Sequence, residues 1–205
     1  MAKPVEELVT PKSRRRRVEL LEAGRTTFIA RGYFDTRVAD VVALAKVSQG
    51  TFYSYFDSKD DILQTLVTHM IDEMLAQTAA PIRPTKTAFL ALQATIEQFM
   101  FSYRDHSGMI GVLEQAVTAN DEFRNFRQGI RDRFGRRLHV MLVPQLSNHP
   151  DGVKVNPHIG AYALGGMLDD FAYGCYILRQ VVDEADAVRT LTVLWARAAG
   201  IPILE

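Results

Sequence analysis

Two segments of this sequence carry side chains whose types and spacing suit contact with a polyanion. The first is a run of five cations within six residues, Lys12 and Arg14–Arg17. Cations clustered in this way are typical of contacts with nucleic-acid phosphates, which release counterions when they are neutralised. The alternative interpretation of the run is a solvated helix start.

The second segment, Gln49–Phe56, suits a helix that lies in the major groove of DNA. Gly50 lets such a helix approach the bases without a side-chain clash. Phe52 and Phe56 are four residues apart and can face a protein core from one side of the helix. The side chains that can then face the groove are Gln49, Thr51, Tyr53 and Ser54. A half-buried packing role is the alternative for Tyr53 and Tyr55.

Short capped helices are predicted to position these side chains, because a Ser, Thr or Asp precedes each periodic apolar segment. The first four are expected at about 14–31 after Ser13 and up to Gly32, 37–44 after Thr36, 49–55 after Ser48, and 59–79 after Asp57 or Ser58. Lys46 and Val47 make the tight turn between the second and third helices. A short helix, a tight turn and a second short helix form the outline of a helix-turn-helix, whose second helix reads the groove.

The rest of the chain keeps the helical spacing of apolar residues, so we predict an all-α fold of about nine helices. Gly108 is expected to end the helix that contains Phe89–Tyr103, and a separate helix follows at 109–119. The later helices are expected from about Phe123 to Pro144, at 158–182 and at 184–199, with a linker at Pro81–Pro84 and a polar loop at 147–157.

Composition divides the chain into a basic head and an acidic body. Residues 1–60 hold 11 Lys and Arg against 8 Asp and Glu, whereas the whole chain has a net charge of zero. The head is therefore the part expected to meet a polyanion. We predict a disordered arm at 1–11, a helix-turn-helix domain at 12–60 connected through the helix 59–79, and a helical ligand-binding and dimerisation domain at 61–205.

Several classes of protein receive no support from the sequence. No apolar stretch reaches the length of a membrane span, and no signal peptide core follows the N-terminus, so we expect a cytoplasmic protein. Cys175 is the only cysteine, and the five histidines lack metal-ligand spacing. Neither a catalytic triad nor a nucleotide-binding loop is evident. We therefore expect no metal, no cofactor and no enzyme activity, although a small helical enzyme remains an alternative function.

The sequence order within residues 14–65 resembles the TetR family of bacterial repressors. The matching stretches, Gly32–Val42, Ala45–Phe56 and Ser58–Leu63, keep the pattern Gly-aromatic, Thr, Val-Ser-x-Gly-x-Phe-Tyr-x-Tyr-Phe, Lys. Two residues depart from the family pattern: Lys46 replaces a usual glycine, and Arg37 replaces a small hydroxyl residue. Both can add a phosphate contact. The residues expected to contact DNA are thus Arg14, Arg15, Arg16, Arg17, Thr36, Arg37, Lys46, Ser48, Gln49, Gly50, Thr51, Tyr53, Ser54, Tyr55 and Lys59.

The resemblance implies a homodimer that binds palindromic operator DNA, represses transcription and is released by a small-molecule effector, so that the protein lies on the nucleoid when bound. The density of aromatic and methionine side chains suggests an apolar or aromatic effector, such as an acyl thioester or a lipid-derived metabolite. Most of these side chains can equally form an ordinary core, and an arginine can pair with Asp169 or Asp170. The candidate ligand-binding residues are Phe99, Met100, Tyr103, His106, Glu114, Phe134, His139, Met167, Asp170, Phe171 and Tyr173.

The two last helices, 158–182 and 184–199, are the predicted dimer interface. Gly160, Ala163, Gly165, Gly166, Ala172 and Gly174 keep the first of them slim, and an apolar stripe on the second consists of Val188, Leu191, Leu194 and Trp195. Packing within one chain is the alternative role of these residues. A further alternative for the whole protein is an architectural DNA binder without sequence preference.

Overall fold

The structure, a computed structural model, describes residues 10–77, 87–147 and 156–203. Eight helices and no strand occur in these ranges, which confirms the all-α prediction. The helices are α1 (Pro11–Asp35), α2 (Val38–Ala45), α3 (Gln49–Tyr53), α4 (Lys59–Gln77), α5 (Ala88–Ala119), α6 (Asp121–Ser147), α7 (Pro157–Tyr176) and α8 (Glu184–Ala199). Residues 1–9 of the predicted arm, the linker Pro81–Pro84 and most of the predicted polar loop lie outside the described residues.

The described chain divides into two compact units. The first contains the residues up to Asp72 together with Gly108–Arg124, and the second contains Glu73–Ser107 and the residues from Asn125 onward. Helices α4, α5 and α6 contribute residues to both units. The division at residue 60 that the sequence suggests stays a prediction.

Helix α1 begins earlier than predicted, because Thr10 and not Ser13 is its N-cap. The Thr10 hydroxyl accepts the Ser13 N–H at 3.2 Å, and the Ser13 hydroxyl oxygen accepts the Thr10 N–H at 3.3 Å. This reciprocal pair is a capping box, and Pro11 occupies the first helical position, where its missing N–H costs nothing. Gly32 interrupts the helix with φ 75° and ψ −179°, as its type predicts, and helical residues continue to Asp35.

The predicted cap of α2 is also wrong. The N-cap is Arg37, whose N–H is accepted by the Asp40 carboxylate at 3.0 Å. The Thr36 hydroxyl instead donates to the Gly32 carbonyl at 2.6 Å, and Thr36 is buried. Ser48 caps α3 as predicted, since its hydroxyl accepts the Thr51 N–H at 3.1 Å.

Gly108 does not break a helix, contrary to the prediction, and this accounts for eight helices where about nine were expected. A glycine inside a helix costs about 1 kcal/mol relative to alanine but does not by itself end the helix. A Cβ at Gly108 would lie 3.3 Å from Ile29 Cγ2. The glycine therefore serves close packing of α5 against α1 within the first unit.

The core of each unit consists of apolar side chains at helical spacing. In the first unit the largest fully buried side chains are Leu20, Phe28, Val41, Phe52, Phe56, Ile62, Leu63, Val67 and Phe123. In the second unit, α6 and α7 approach closely at Gly135, where an added Cβ would lie 2.7 Å from the Tyr162 ring. Helix α7 ends at Tyr176, earlier than the predicted 182, and α8 spans the predicted residues 184–199.

Candidate nucleic-acid interface

The turn between α2 and α3 is built on a left-handed residue. Lys46 has φ 54° and ψ 46°, and the Val47 N–H then reaches the Val42 carbonyl at 3.0 Å to close the end of α2. A residue with a side chain costs about 1–2 kcal/mol in this conformation, which explains why glycine would fit it more easily. Lys46 is exposed, so its ammonium is available at the surface beside α3.

Helix α3 has one buried and one exposed face. Phe52 is 0% exposed and packs on Phe56 with ring centroids 5.7 Å apart, whereas Tyr53 is 54% exposed. The Tyr53 ring lies edge-on to the buried Phe52 ring, with ring centroids 5.4 Å apart, and this contact supports the exposed Tyr53 side chain. The division into core-facing and outward-facing residues therefore agrees with the sequence prediction.

Gly50 faces open space. A Cβ there would meet only the Ser48 hydroxyl oxygen, at 3.8 Å, and the backbone does not need a glycine because its φ is not positive. Packing within the chain therefore does not explain a glycine in the first turn of α3.

The four arginines of the basic run separate into two groups. Arg14, Arg15 and Arg16 lie at or near the surface, and Arg15 and Arg16 both bond the Glu19 carboxylate, at 3.2 Å and 2.7 Å. Arg17 is only 7% exposed and its guanidinium lies 5.4 Å from the centre of the Phe56 ring. Burial lowers the pKa of Arg17, and the charge of Asp61 partly opposes this.

Two further residues of the predicted contact set are engaged inside the fold. Thr36 is buried, as described above. The Lys59 ammonium donates to the carbonyls of Tyr33 at 2.8 Å and Thr36 at 3.2 Å, and it lies 4.3 Å from the centre of the Tyr33 ring. Both side chains hold the α1–α2 turn in place. Arg37, Gln49 and Ser54 are exposed, and Thr51 and Tyr55 are half-buried.

Tyr33 is the residue that the sequence interpretation missed in this region. Its hydroxyl donates to Asp60 at 3.0 Å, and its ring contacts Phe123 edge-on at 5.6 Å. Burial and the Asp60 hydrogen bond raise the pKa of Tyr33 to about 12. An aromatic residue directly after a helix-breaking glycine was the available signal, but its partners are far away in sequence.

Several candidate ligand-binding residues come together as an aromatic cluster in the second unit. Phe99 lies 5.8 Å from Tyr103 and 6.2 Å from Phe134, measured between ring centroids. Tyr176, which the sequence interpretation did not select, stacks near Tyr103 at 6.1 Å. Met100 and Tyr103 are buried.

The polar candidates have different surroundings. His106 places Nδ1 2.8 Å from the Ser102 carbonyl oxygen and Nε2 3.3 Å from the Glu73 carboxylate. His139 contacts the His158 ring at 5.7 Å. Glu114 belongs to the first unit and Asp170 is exposed, while Met167, Phe171 and Tyr173 are half-buried.

The alternative expected for the Asp169–Asp170 pair holds for Asp169. Its carboxylate forms an ion pair with Arg127 at 3.0 Å, between α6 and α7. The ligand-binding roles of the candidate residues stay predictions. Among the described residues, no group of three His, Cys, Asp or Glu side chains can hold a metal ion, and no described helix is long and apolar enough to cross a membrane.

Comparisons with known proteins agree with a helix-turn-helix head joined to further helices. Residues 20–66 match the family model described as bacterial regulatory proteins, tetR family. The HTH-type transcriptional repressor DhaR of Mycobacterium sp. (strain GP1) is 32% identical over 89 residues, which are 40% of this chain and 45% of DhaR. The HTH-type transcriptional regulator BetI of Brucella canis is 26% identical over 184 residues, 87% of each chain. The chain thus spans less than half the length of DhaR.

The fold as a whole has solved counterparts. The transcriptional regulator FadR of Bacillus subtilis, solved in complex with stearoyl-CoA, superposes with a TM-score of 0.72 at 18% identity, over 91% of this chain and 100% of that chain. The arrangement is therefore that of a helix-turn-helix protein of the all-α class. Residues 20–66 of the chain are thus similar to the tetR family of bacterial regulatory proteins, and the chain as a whole shares the fold of FadR.

Proposed function

We propose that this protein is a sequence-specific DNA-binding transcriptional regulator, acting as a dimeric repressor in the bacterial cytoplasm. The observation that carries the proposal is the exposed face of α3. Tyr53 projects from a helix whose other face is anchored by Phe52, and Gly50 leaves the first turn open to a close approach. A short rigid helix of this kind fits the width of the major groove.

The charges around α3 support the same role. Arg14, Arg15, Arg37 and Lys46 are exposed and belong to the same unit as α3. Cations beside a groove-reading helix fix the register of a protein on DNA without themselves reading the sequence. Arg17, Thr36 and Lys59 are left out of the proposed contact set, because their side chains are engaged within the unit.

A binding assay with the DNA that flanks the gene of this protein tests the proposal. Wild type is expected to retard one fragment at a salt concentration at which random DNA stays free. Tyr53→Ala should weaken that complex by about 10-fold or more, since one good base contact is worth about 1–3 kcal/mol. Phe101→Ala is the control, because Phe101 is another exposed aromatic residue, 47% exposed, that lies in the second unit and outside α3. Equal retardation of all fragments, unaffected by Tyr53→Ala, would overturn the proposal.

The proposed dimer uses the outer faces of α7 and α8. Val188, Leu191 and Trp195 of the predicted apolar stripe are buried within the single chain, and only Leu194 is exposed, at 50%. On α7, Ile159, Ala163 and Gly166 share the helical spacing of one face, and a Cβ at Gly166 would meet nothing within 4 Å. The interface is therefore proposed to consist of these outward-facing residues and not of the original stripe.

The oligomeric state in solution tests this interface. Wild type is expected to have the mass of a dimer by light scattering, and Gly166→Arg should give folded monomer, because the arginine enters open space in a single chain and not its core. Gly129→Arg is the control, since Gly129 is another helical glycine with nothing within 4 Å. A monomeric wild type, or a dimer that Gly166→Arg leaves intact, would contradict the interface.

The proposed effector is an apolar or aromatic small molecule such as an acyl thioester. The cluster of Phe99, Tyr103 and Phe134 supplies apolar surface, and the buried His139 Nδ1 has no hydrogen-bond partner among the described residues. A polar group of a ligand would satisfy that atom. FadR, which shares the fold, was solved with stearoyl-CoA. Stearoyl-CoA is thus the first probe: release of operator DNA by this thioester and not by free CoA supports the class, and no release by either counts against it.

A further inference from the structure

The turn between α1 and α2 is held by side chains that come from other parts of the first unit. We call this set the Tyr33 hub: Tyr33, Lys59, Asp60, Gln115 and Phe123. Lys59 bonds the backbone carbonyl of Tyr33, Asp60 bonds its hydroxyl, and Phe123 packs on its ring. These three contacts involve the side chain or the carbonyl of Tyr33, so its backbone N–H still needs a hydrogen-bond acceptor.

Gln115 of α5 accepts that N–H. Its Oε1 lies 2.8 Å from the Tyr33 nitrogen, across 82 residues of sequence. Gly32 departs from helical dihedral angles immediately before Tyr33, so the hydrogen-bond ladder of α1 is interrupted at this point. A backbone N–H in a partly buried position needs a partner, and a side-chain amide from another helix supplies it here.

Gly32 and Gln115 are matched to each other in shape as well. A Cβ at position 32 would lie 2.6 Å from Gln115 Oε1 and 3.3 Å from the amide carbon. The glycine therefore serves two purposes: it adopts φ 75°, and it leaves room for the amide that bonds the next residue. Gln115 itself is exposed, so packing in the core does not explain its position.

We propose that Gln115 is a positioning residue for DNA recognition. By bonding the Tyr33 N–H it fixes the end of α1, and α2 starts only a few residues later, at Val38. Helix α2 in turn leads into the Lys46 turn that sets the direction of α3. The inference rests on the proposed function, because a positioning role for DNA recognition has meaning only if α3 reads DNA.

Three variants on α5 test the role of Gln115. Gln115→Met keeps the length of the side chain but removes the acceptor, whereas Gln115→Glu keeps an acceptor oxygen at the same place. Gln93→Met is the matched control, the same substitution on the same helix outside the Tyr33 hub. The readouts are amide hydrogen exchange at Tyr33 and affinity for the operator, both measured well below the unfolding midpoint so that the folded fraction is near one.

The expected results follow from the removal of one hydrogen bond in each copy. The Tyr33 amide should exchange about 5-fold faster in Gln115→Met. Operator affinity should fall by up to about 30-fold, because DNA binding must then impose the α1–α2 geometry that the missing bond no longer holds in either copy of a dimer. Gln115→Glu should restore both, and Gln93→Met should change neither. A role in stability alone would leave the affinity of the folded protein unchanged, which separates it from positioning.

Two outcomes would overturn the inference, and a third is distinct from both. Unchanged exchange at Tyr33 in Gln115→Met would show that the hydrogen bond does not protect this amide. Faster exchange with unchanged operator affinity would leave the hydrogen bond without a positioning role. If wild type binds no DNA specifically, the proposed function fails, and the positioning role fails with it while the exchange data still report on the hydrogen bond.

Discussion

Replacing Gly32 with alanine should destabilise the first unit strongly, for two reasons that the structure separates. A Cβ on a backbone with φ 75° and ψ −179° falls in a region that only glycine occupies readily, at a cost of about 1–3 kcal/mol. The same Cβ would lie 2.6 Å from Gln115 Oε1, so the amide must move and release the Tyr33 N–H. The broken hydrogen bond adds about 1 kcal/mol.

One opposing effect reduces the sum. Alanine restricts the unfolded chain more than glycine does, which stabilises the folded state by about 0.4–1 kcal/mol. The net destabilisation expected for Gly32→Ala is therefore about 1–3.6 kcal/mol, which corresponds to a fall in Tm of about 2–14 °C for a chain of this size. Thermal unfolding followed by circular dichroism, with urea titration for the free energy, measures both quantities.

The controls assign the destabilisation to its two causes. Gly129→Ala should stabilise the protein by up to about 1 kcal/mol, because that glycine lies in α6 with nothing within 4 Å of a Cβ. In the double variant Gly32→Ala, Gln115→Ala the collision is gone but the dihedral strain remains. A destabilisation below about 0.5 kcal/mol for Gly32→Ala would disprove the strain, since it would mean that alanine tolerates this backbone conformation.

Four other substitutions probe the charges and the titration of the first unit. Arg17→Met should weaken operator binding because it removes the contact of Arg17 with Phe56, and it should leave the slope of log affinity against log salt unchanged. Arg15→Met should lower that slope by about 0.9 for each phosphate that the protein no longer neutralises. Equal slopes for the two variants would contradict the division of the basic run. Lys46→Gly should raise the free energy of unfolding by up to about 1 kcal/mol, because glycine adopts the left-handed backbone conformation without strain, and it should weaken DNA binding. A variant that urea titration shows to be destabilised would count against this strain. Because the pKa of Tyr33 is raised to about 12, its protonated form stabilises the fold fully below about pH 10, and this stabilisation disappears as the pH rises through about 12. Tyr33→Phe should therefore flatten the dependence of the unfolding free energy on pH between about 10 and 12. An unchanged dependence would disprove the contribution of Tyr33.

The sequence predicts the helices well where caps and apolar spacing agree. Ser48 caps α3, Phe52 and Phe56 face the core, and α8 occupies the expected range. Errors occur where two candidate signals compete. Both Thr10 and Ser13 can cap a helix, and the capping box that joins them makes the earlier one the start. Gly108 has the appearance of a helix end, but its role is packing against Ile29.

The site is less predictable than the fold, because side-chain partners are set by tertiary contacts. Nothing in a run of four arginines shows that Arg17 alone turns inward onto Phe56. Lys59 precedes an acidic helix start, and its bonds to the carbonyls of Tyr33 and Thr36 appear only when α1 and α4 are in place. The Gln115 hydrogen bond spans 82 residues, beyond the reach of any local pattern.

Tertiary contacts also decide which residues of the last two helices are buried within one chain and which are left exposed. A stripe at positions 188, 191, 194 and 195 indicates burial, but it does not show whether the partner is the same chain or a second copy. In the structure, Trp195 is fully buried within its own chain and Leu194 is not. Orientation around the helix axis decides which residues are left for a second copy.

Whether α3 reads a DNA sequence is decided by the ratio of specific to non-specific affinity. Fluorescence anisotropy titrations at one fixed salt concentration would compare the fragment retarded by wild type with a scrambled fragment of equal length. We expect a ratio of at least about 10³ for wild type and a much smaller ratio for Tyr53→Ala. Near-equal affinity of wild type for the two fragments would contradict sequence reading by α3 and indicate an architectural DNA binder instead.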